Sequence, residues 1–334
     1  MRGSFLNETA AIESYSPHWY IERPERSVPL PSRLPETTET DPGKPDPPYQ
    51  ARPMNHLHLL PRLLLLLLMS CASLFAQSSG VAGSMGAAPG DLTRDTTLYT
   101  MGYSHLDTQW RWDYETTIRK YILSTMVDNF RLLDKYPGYT FNFTGANRYI
   151  MMKEYYPAEY ARVKAYVAAG RWFPAGSSLE EADALVPSAE SLIRNILYGN
   201  RFFRQEFGKV SNEYMVPDCF GFPASMPSIF THAGLKGFST QKLTWGSAVG
   251  VPFNFGLWEG TDGSTVITSL NPGEYVGTVK ENLSTSPTWR TRLRENGVRS
   301  GIVADYMYFG TGDIGGAPGE ETVQWVEKSI AGPG

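Results

Sequence analysis

The sequence contains little cysteine, no excess of positive charge and no apolar run long enough to span a membrane. Two cysteines among 334 residues cannot form a disulfide scaffold. The 34 Asp and Glu outnumber the 30 Lys and Arg, and the formal charge of −4 argues against a nucleic-acid-binding protein, because phosphate binding relies on clustered positive charge. The apolar run 63–69 is far shorter than the roughly 20 residues of a membrane-spanning helix.

The composition does supply enough apolar surface for a large folded core. Hydrophobic residues make up 41% of the chain and aromatic residues 13%, which excludes a protein that is disordered throughout. The length allows two average domains or one large α/β barrel. The aromatic share fits a sugar-binding surface and equally well a large core, so it does not discriminate between functions.

The first 95 residues differ in composition from the rest. Residues 1–53 are interrupted by Pro and have no apolar periodicity, so we predict a disordered or mis-assigned extension there. Residues 54–76 contain Arg62, then the apolar run 63–69 and then small residues, which is the order of a secretory signal peptide. A buried Leu-rich helix is the alternative, but the Gly- and Ser-rich segment 77–95 is typical of a linker.

The end of this predicted signal also resembles the lipidation box of bacterial lipoproteins. In the sequence LMSC, Cys71 would become the lipidated first residue, although Met69 is unusual in such a box. With or without a lipid anchor at Cys71, we expect an exported protein, either periplasmic or secreted.

From residue 96 onward, runs of strand-forming residues alternate with helical patterns. Such alternation indicates a parallel sheet with crossover helices. About 240 residues in this order favour a (β/α) barrel over two small domains. Strands are predicted at 97–103, 139–145, 171–175, 214–217, 237–243, 254–258, 265–270 and 302–309. Helices are predicted at 116–136, 147–169, 188–207 and 225–233, and another helix begins in the segment 319–334.

Polar clusters follow three of these predicted strands. His105 and Asp107 are spaced so that both side chains lie on one side of an extended backbone, which suits two ligands of one divalent metal. Asp218 precedes a Gly/Pro turn, and Asp313 lies in a Gly-rich loop. Each cluster alone also fits a structural role, such as a surface pair, a helix N-cap or a turn. In β/α barrels, however, chemistry gathers at the C-terminal ends of strands, and all three clusters lie there.

Several sequence blocks together resemble glycoside hydrolase family 38, the zinc-dependent retaining α-mannosidases. The blocks agree in order and spacing from about Leu98 to Asp313. The resemblance implies the N-terminal catalytic domain of that family, a (β/α)7-type barrel spanning 96–334 and incomplete at its C-terminal end. The blocks are HLDTQW, PDCFGF, LEEADALVPSAESLIRNILYGNRFF, FSTQKLTW and LWEGTDGS.

The resemblance also assigns roles to particular residues. It implies that His105 and Asp107 bind Zn²⁺, and that Asp218 is both a zinc ligand and the nucleophile. Trp110 and Phe220 match aromatic residues that wall the sugar pocket. The expected activity is hydrolysis of terminal α-mannosidic bonds in oligosaccharides, with α-mannose-containing glycans as the substrates.

Asp313 is the candidate general acid/base, because its Gly neighbours leave it open to the leaving group of a substrate. A structural turn residue is the alternative at that position. His232 ends a predicted helix, and a packing or helix-end role is favoured there. The family's fourth ligand, a His further along the chain, has no counterpart after Asp313, so we interpret the sequence as a partial catalytic domain.

Two other classes of protein stay open at this point. One is a non-catalytic glycan-binding remnant that keeps the aromatic pocket and has lost the metal. The other is a metal-dependent deacetylase or amidase on a similar barrel, which would need a second His a few residues from His105, and none is there.

Overall fold

The computed structural model describes residues 91–244 and 250–332. The predicted extension 1–53, the signal peptide with Cys71 and most of the linker 77–95 lie outside the described residues. At the start of the described chain, Leu92 is buried in a small cluster with Phe255 and Ala304, and its carbonyl accepts a hydrogen bond from the amide of Val303 at 2.8 Å. Packed structure therefore begins before residue 96.

Four strands form an all-parallel sheet in the order β3-β2-β1-β8. They are β1 (Thr97–Ser104), β2 (Phe141–Thr144), β3 (Trp172–Ala175) and β8 (Ala304–Thr311). Strand β1 pairs with β8 along its whole length, ending with Ser104 opposite Thr311. Because the two strands are parallel, the segments that follow them leave from the same edge of the sheet.

A second sheet has the order β4-β5-β7-β6. Its strands are β4 (Glu213–Met215), β5 (Gly237–Ser239), β6 (Phe255–Glu259) and β7 (Thr265–Ser269). Strand β6 runs antiparallel to β7, which corrects the expectation of parallel strands throughout. The physical reason is the short connection 260–264, since a parallel crossover needs a dozen or more residues.

The all-parallel first sheet and the mainly parallel second sheet, with helices between their strands, confirm the α/β class. The described strands form two separate four-stranded sheets, so the continuous seven-stranded ring implied by the resemblance stays a prediction.

The helices follow the predicted pattern with three differences. The predicted helix 147–169 is broken at Tyr156, because Pro157 cannot continue the preceding helix. The predicted helix 116–136 contains a π-helical segment, Thr117–Ile122, and a helix after β7 was not predicted. The α-helices are α1 (Tyr114–Thr116), α2 (Leu123–Lys135), α3 (Ala146–Tyr155), α4 (Pro157–Ala168), α5 (Ala189–Phe207), α6 (Met226–His232), α7 (Pro287–Ser300) and α8 (Glu320–Ile330).

Helix α5 illustrates how the local sequence sets the boundaries. The hydroxyl of Ser188 accepts a hydrogen bond from the amide of Ser191 and caps the first turn, and Gly208 ends the helix in the left-handed conformation at φ 66°. Within the two described ranges, no helix is both long and apolar enough to cross a membrane.

The largest core cluster packs helices against the first sheet. The fully buried Trp172 contacts the ring of Phe141 edge-on, with centroids 4.7 Å apart. At the end of β8, Gly310 lies so close to β1 that a Cβ there would be 1.7 Å from the carbonyl oxygen of Tyr103. Only glycine fits this approach, which holds the C-terminal end of β8 against that of β1.

Candidate metal centre

The first part of the site is built by backbone pairing beyond the ends of β1 and β8. The amide of His105 donates to the carbonyl of Thr311 at 3.0 Å, and the amide of Asp107 donates to that of Asp313 at 2.9 Å. The fully buried Leu106 lies between them and forms a β-bridge with Ile314. The extended backbone therefore turns His105 and Asp107 to the same side, as their spacing predicts.

Asp218 comes to the same place from the second sheet, three residues after β4. The Nε2 atom of His105 lies 3.4 Å from Oδ1 of Asp107 and 3.7 Å from Oδ2 of Asp218. One ligand atom from each residue lies within 4.8 Å of the others. These three side chains therefore form a group compact enough to share one cation.

The imidazole of His105 is 3% exposed, and its Nε2 atom makes no hydrogen bond to any described residue. A buried nitrogen that faces two carboxylates without a hydrogen bond is a costly arrangement in the protein alone. A cation among these oxygen and nitrogen donors would satisfy it, so the residues present fit a divalent metal ion.

A carboxylate and a guanidinium lie behind His105. Oε2 of Glu181 is 3.1 Å from Nδ1 of the imidazole, and Nη1 of Arg148 is 3.1 Å from Oε1 of Glu181. Burial lowers the pKa of His105, but the charge of Glu181 and the contact with Asp107 outweigh it, and the pKa rises from 6.5 to about 9. Burial raises the pKa of Glu181, but His105 and Arg148 outweigh it and lower the pKa to about 2.

Tyr275 connects two of the candidate catalytic carboxylates. Its hydroxyl lies within donating distance of Oδ2 of Asp218 at 3.2 Å and of Oδ1 of Asp313 at 2.9 Å. Burial and the two nearby carboxylates raise the pKa of this phenol far above its usual value. Asp313 has a left-handed backbone at φ 65°, an uncommon conformation for a residue with a side chain, and it turns the carboxylate toward Tyr275.

Lys242 completes the polar surroundings of Asp218. Its buried ammonium lies 3.2 Å from Oδ1 of Asp218 and 5.5 Å from the ring centroid of Phe220. Phe220 is 68% exposed, so its ring is available beside the cluster. Trp110 is 54% exposed and packs against Trp112 and under the guanidinium of Arg111.

Comparison with known proteins identifies the domain. The sequence profile of the glycosyl hydrolases family 38 N-terminal domain matches residues 95–329. The chain belongs to glycoside hydrolase family 38. The resemblance inferred from the sequence blocks is therefore confirmed.

Curated relatives of this family 38 chain are named as mannosidases. Alpha-mannosidase G of Dictyostelium discoideum is 36% identical over 236 residues, which is 70% of this chain and 21% of that protein. Human alpha-mannosidase 2C1 is 35% identical over 225 residues, which is 66% of this chain and 21% of that protein. The chain thus spans about a fifth of the length of these relatives.

Solved structures agree with the fold. An alpha-mannosidase from Enterococcus faecalis V583 superposes with a TM-score of 0.57 at 21% identity, over 71% of this chain and 26% of that one. At this identity the likeness establishes a shared fold alone.

The family 38 site contains residues that the sequence patterns did not single out. Tyr275 lies in the loop after β7, where neither spacing nor periodicity marks it. Glu181 is one of several polar residues in the segment before α5, and their pattern does not separate it from its neighbours. Its side chain is 9% exposed, whereas Asp183 is exposed. His232 lies exposed at the last position of α6, consistent with a helix-end residue.

Proposed function

We propose that the chain carries the catalytic centre of a zinc-dependent retaining α-mannosidase, which hydrolyses terminal α-mannosidic bonds in oligosaccharides during glycan catabolism. The observation that carries this proposal is the convergence of His105, Asp107 and Asp218 within 4.8 Å, in a chain of family 38. Relatives named alpha-mannosidase support the substrate class, α-mannose-containing glycans.

The donor set supports zinc as the metal. An imidazole nitrogen and carboxylate oxygens are ligands that Zn²⁺ accepts, and His105, Asp107 and Asp218 would hold it. When bound, the ion supplies a Lewis acid beside the sugar hydroxyls.

The carboxylates supply the bond chemistry. An oxygen of Asp218 attacks C1 of the mannoside, the bond from C1 to the leaving oxygen breaks, and that oxygen takes the electron pair together with a proton from Asp313. In the second half, Asp313 takes a proton from water as the water oxygen attacks C1, and the carboxylate of Asp218 leaves. Two inversions at C1 return the original configuration.

The separation of these two carboxylates supports retention. Oδ2 of Asp218 and Oδ1 of Asp313 both contact the hydroxyl of Tyr275, at 3.2 and 2.9 Å. The two oxygens therefore cannot be farther apart than the sum of these distances, which is less than the roughly 6.5–9.5 Å of inverting enzymes. Inverting enzymes hold a water molecule between their two carboxylates, so a shorter separation favours the retaining mechanism.

The remaining predictions belong to the same proposal. Trp110 and Phe220 wall the sugar pocket, and their exposed rings support this role. The two sheets are parts of one (β/α)7-type barrel within 96–334. The segment 54–76 exports the protein to the periplasm or the medium, and Cys71 is the candidate lipid anchor.

The test is an assay of the chain on an aryl α-mannoside, with the anomer of the first product read by NMR. We expect the 334 residues alone to hydrolyse it weakly or not at all, because the sequence supplies three of the four metal ligands that the family resemblance implies. Any hydrolysis should be lost after treatment with a chelator, be restored by Zn²⁺ and give the α-anomer first. Asp218→Asn should abolish turnover, while Asp95→Asn, at an exposed position, should not. Activity that survives complete removal of the metal would refute the proposal, and mannoside binding without turnover or metal would favour a glycan-binding remnant.

A further inference from the structure

The imidazole of His105 is held from two sides. Its Nε2 atom faces Asp107 and Asp218 at 3.4 and 3.7 Å. Its Nδ1 atom faces Oε2 of Glu181 at 3.1 Å on the opposite side of the ring. Glu181 therefore does not belong to the group of candidate ligands and lies directly behind it.

Glu181 is itself fixed by a dense set of donors. The hydroxyl of Tyr103 donates to Oε1 at 2.8 Å, the hydroxyl of Thr144 donates to the same oxygen, and Nη1 of Arg148 lies 3.1 Å from it. The side chain of Glu181 is only 9% exposed. A carboxylate so enclosed has no room to reach a sugar and little freedom to move.

These contacts also determine which nitrogen of His105 carries a proton. The hydroxyl of Tyr103 lies 3.4 Å from Nδ1, but its own proton is directed to Glu181, so it does not donate to the ring. Oε2 of Glu181 has no hydrogen-bond partner among the described residues, and the Nδ1 atom of His105 lies beside it at 3.1 Å. Nδ1 therefore carries a proton that faces Oε2, and the lone pair of a neutral imidazole lies on Nε2.

Arg148 extends this support to the backbone between the candidate ligands. Its Nε atom donates to the carbonyl oxygen of Leu106 at 3.0 Å, and Leu106 separates His105 from Asp107. The same guanidinium thus contacts Glu181 and the ligand-bearing segment.

We propose that Glu181 is a positioning residue of the metal centre: with Arg148 behind it, Glu181 fixes the Nδ1–H tautomer and the orientation of His105, so that Nε2 binds the ion. This inference rests on the proposed function. Replacing a carboxylate that lies against a metal-binding histidine typically lowers the metal affinity by about 10- to 100-fold.

The neighbouring Glu180 provides a matched control. Its carboxylate accepts hydrogen bonds from Thr108 at 3.0 Å and from Asn147 at 2.6 Å, and it forms neither a hydrogen bond nor an ion pair with His105. Glu181→Gln and Glu180→Gln each remove one negative charge near the cluster. Only the first alters the group that faces Nδ1.

The experiment measures how fast Zn²⁺ leaves the loaded full chain when a chelator is in excess. Release starts from a neutral, metal-bound imidazole in every variant, so protonation of the free site does not affect the comparison. We expect release about 10- to 100-fold faster in Glu181→Gln, and within about threefold of the unmodified chain in Glu180→Gln.

A second measurement needs no variant and covers a failure of Glu181→Gln to fold. In the zinc-loaded chain with ¹⁵N-labelled histidine, NMR should show a proton on Nδ1 of His105 and zinc on Nε2. Equal release rates in all three proteins, equal acceleration by both variants, or zinc on Nδ1 would overturn the inference. If the unmodified chain binds no metal, the proposed function fails as well.

Discussion

Metal binding at this site should depend strongly on pH, because the metal must displace a proton from His105. The pKa of His105 in the metal-free protein is raised to about 9. At pH 7 the imidazole is therefore protonated in almost every molecule, and the apparent affinity is about 100-fold below its limit at high pH, or about 2.7 kcal/mol. The sign follows directly, since raising the pH removes the competing proton and strengthens binding.

The assay is competition between the protein and a chelator of known affinity for Zn²⁺, at pH 6, 7 and 8. We expect the apparent affinity to rise about tenfold per pH unit through this range. Calorimetry at pH 7 in two buffers with different ionisation enthalpies should detect the release of about one proton from His105. In Glu181→Gln the charge that raises the pKa is gone, so the steep region should end at a lower pH.

Two results would refute this reasoning. One is an affinity that stays constant from pH 6 to pH 8, and the other is metal binding at pH 7 without proton release. Either result would mean that His105 is already neutral in the metal-free protein, and that the charge of Glu181 does not act on the imidazole as its distance of 3.1 Å predicts.

Three further predictions concern the metal-free fold and the candidate catalytic carboxylates. The raised pKa of His105 stabilises the metal-free fold below pH 6.5, and this stabilisation is lost as the pH rises toward 9. The melting temperature of the metal-free protein should therefore fall between these pH values, and it should fall less in Glu181→Gln. Tyr275→Phe removes the hydroxyl shared by Asp218 and Asp313, and should lower kcat by about 10- to 100-fold and shift the pH–rate profile, with zinc content by metal analysis unchanged. Gly310→Ala should lower the free energy of unfolding in urea by at least about 2 kcal/mol, because the new Cβ would meet the neighbouring β1 backbone. At Gly319 a Cβ meets nothing within 4 Å, so an equal loss in Gly319→Ala would contradict that explanation.

The sequence predicts the parts of this molecule that depend on local patterns. The apolar runs identify the strands β1 to β8 to within a few residues, and Ser188 and Gly208 mark both ends of α5. The period of two in an extended segment places His105 and Asp107 on one side of the backbone. The rule that polar groups gather at the ends of parallel strands brings Asp218 to them.

What the sequence does not predict depends on contacts between distant segments. Glu181 and Tyr275 both lie in loops. The partner of Glu181, His105, is 76 positions away in the chain. The partners of Tyr275, Asp218 and Asp313, are 57 and 38 positions away. Neither periodicity nor spacing encodes such a partner. The antiparallel direction of β6 was missed for a different reason, because both directions of pairing give the same apolar run.

The geometry around His105 explains why a cation suits the site better than a proton does. Nε2 lies 3.4 Å from Oδ1 of Asp107 and 3.7 Å from Oδ2 of Asp218, and it makes no hydrogen bond among the described residues. A proton on Nε2 at these distances satisfies neither carboxylate well, because hydrogen bonds weaken beyond about 3.2 Å. A cation between the three donors contacts the nitrogen and both oxygens at once, and polar groups in a partly buried site are costly when they are not satisfied. The protonated imidazole of the metal-free protein is then the incomplete substitute that the metal displaces.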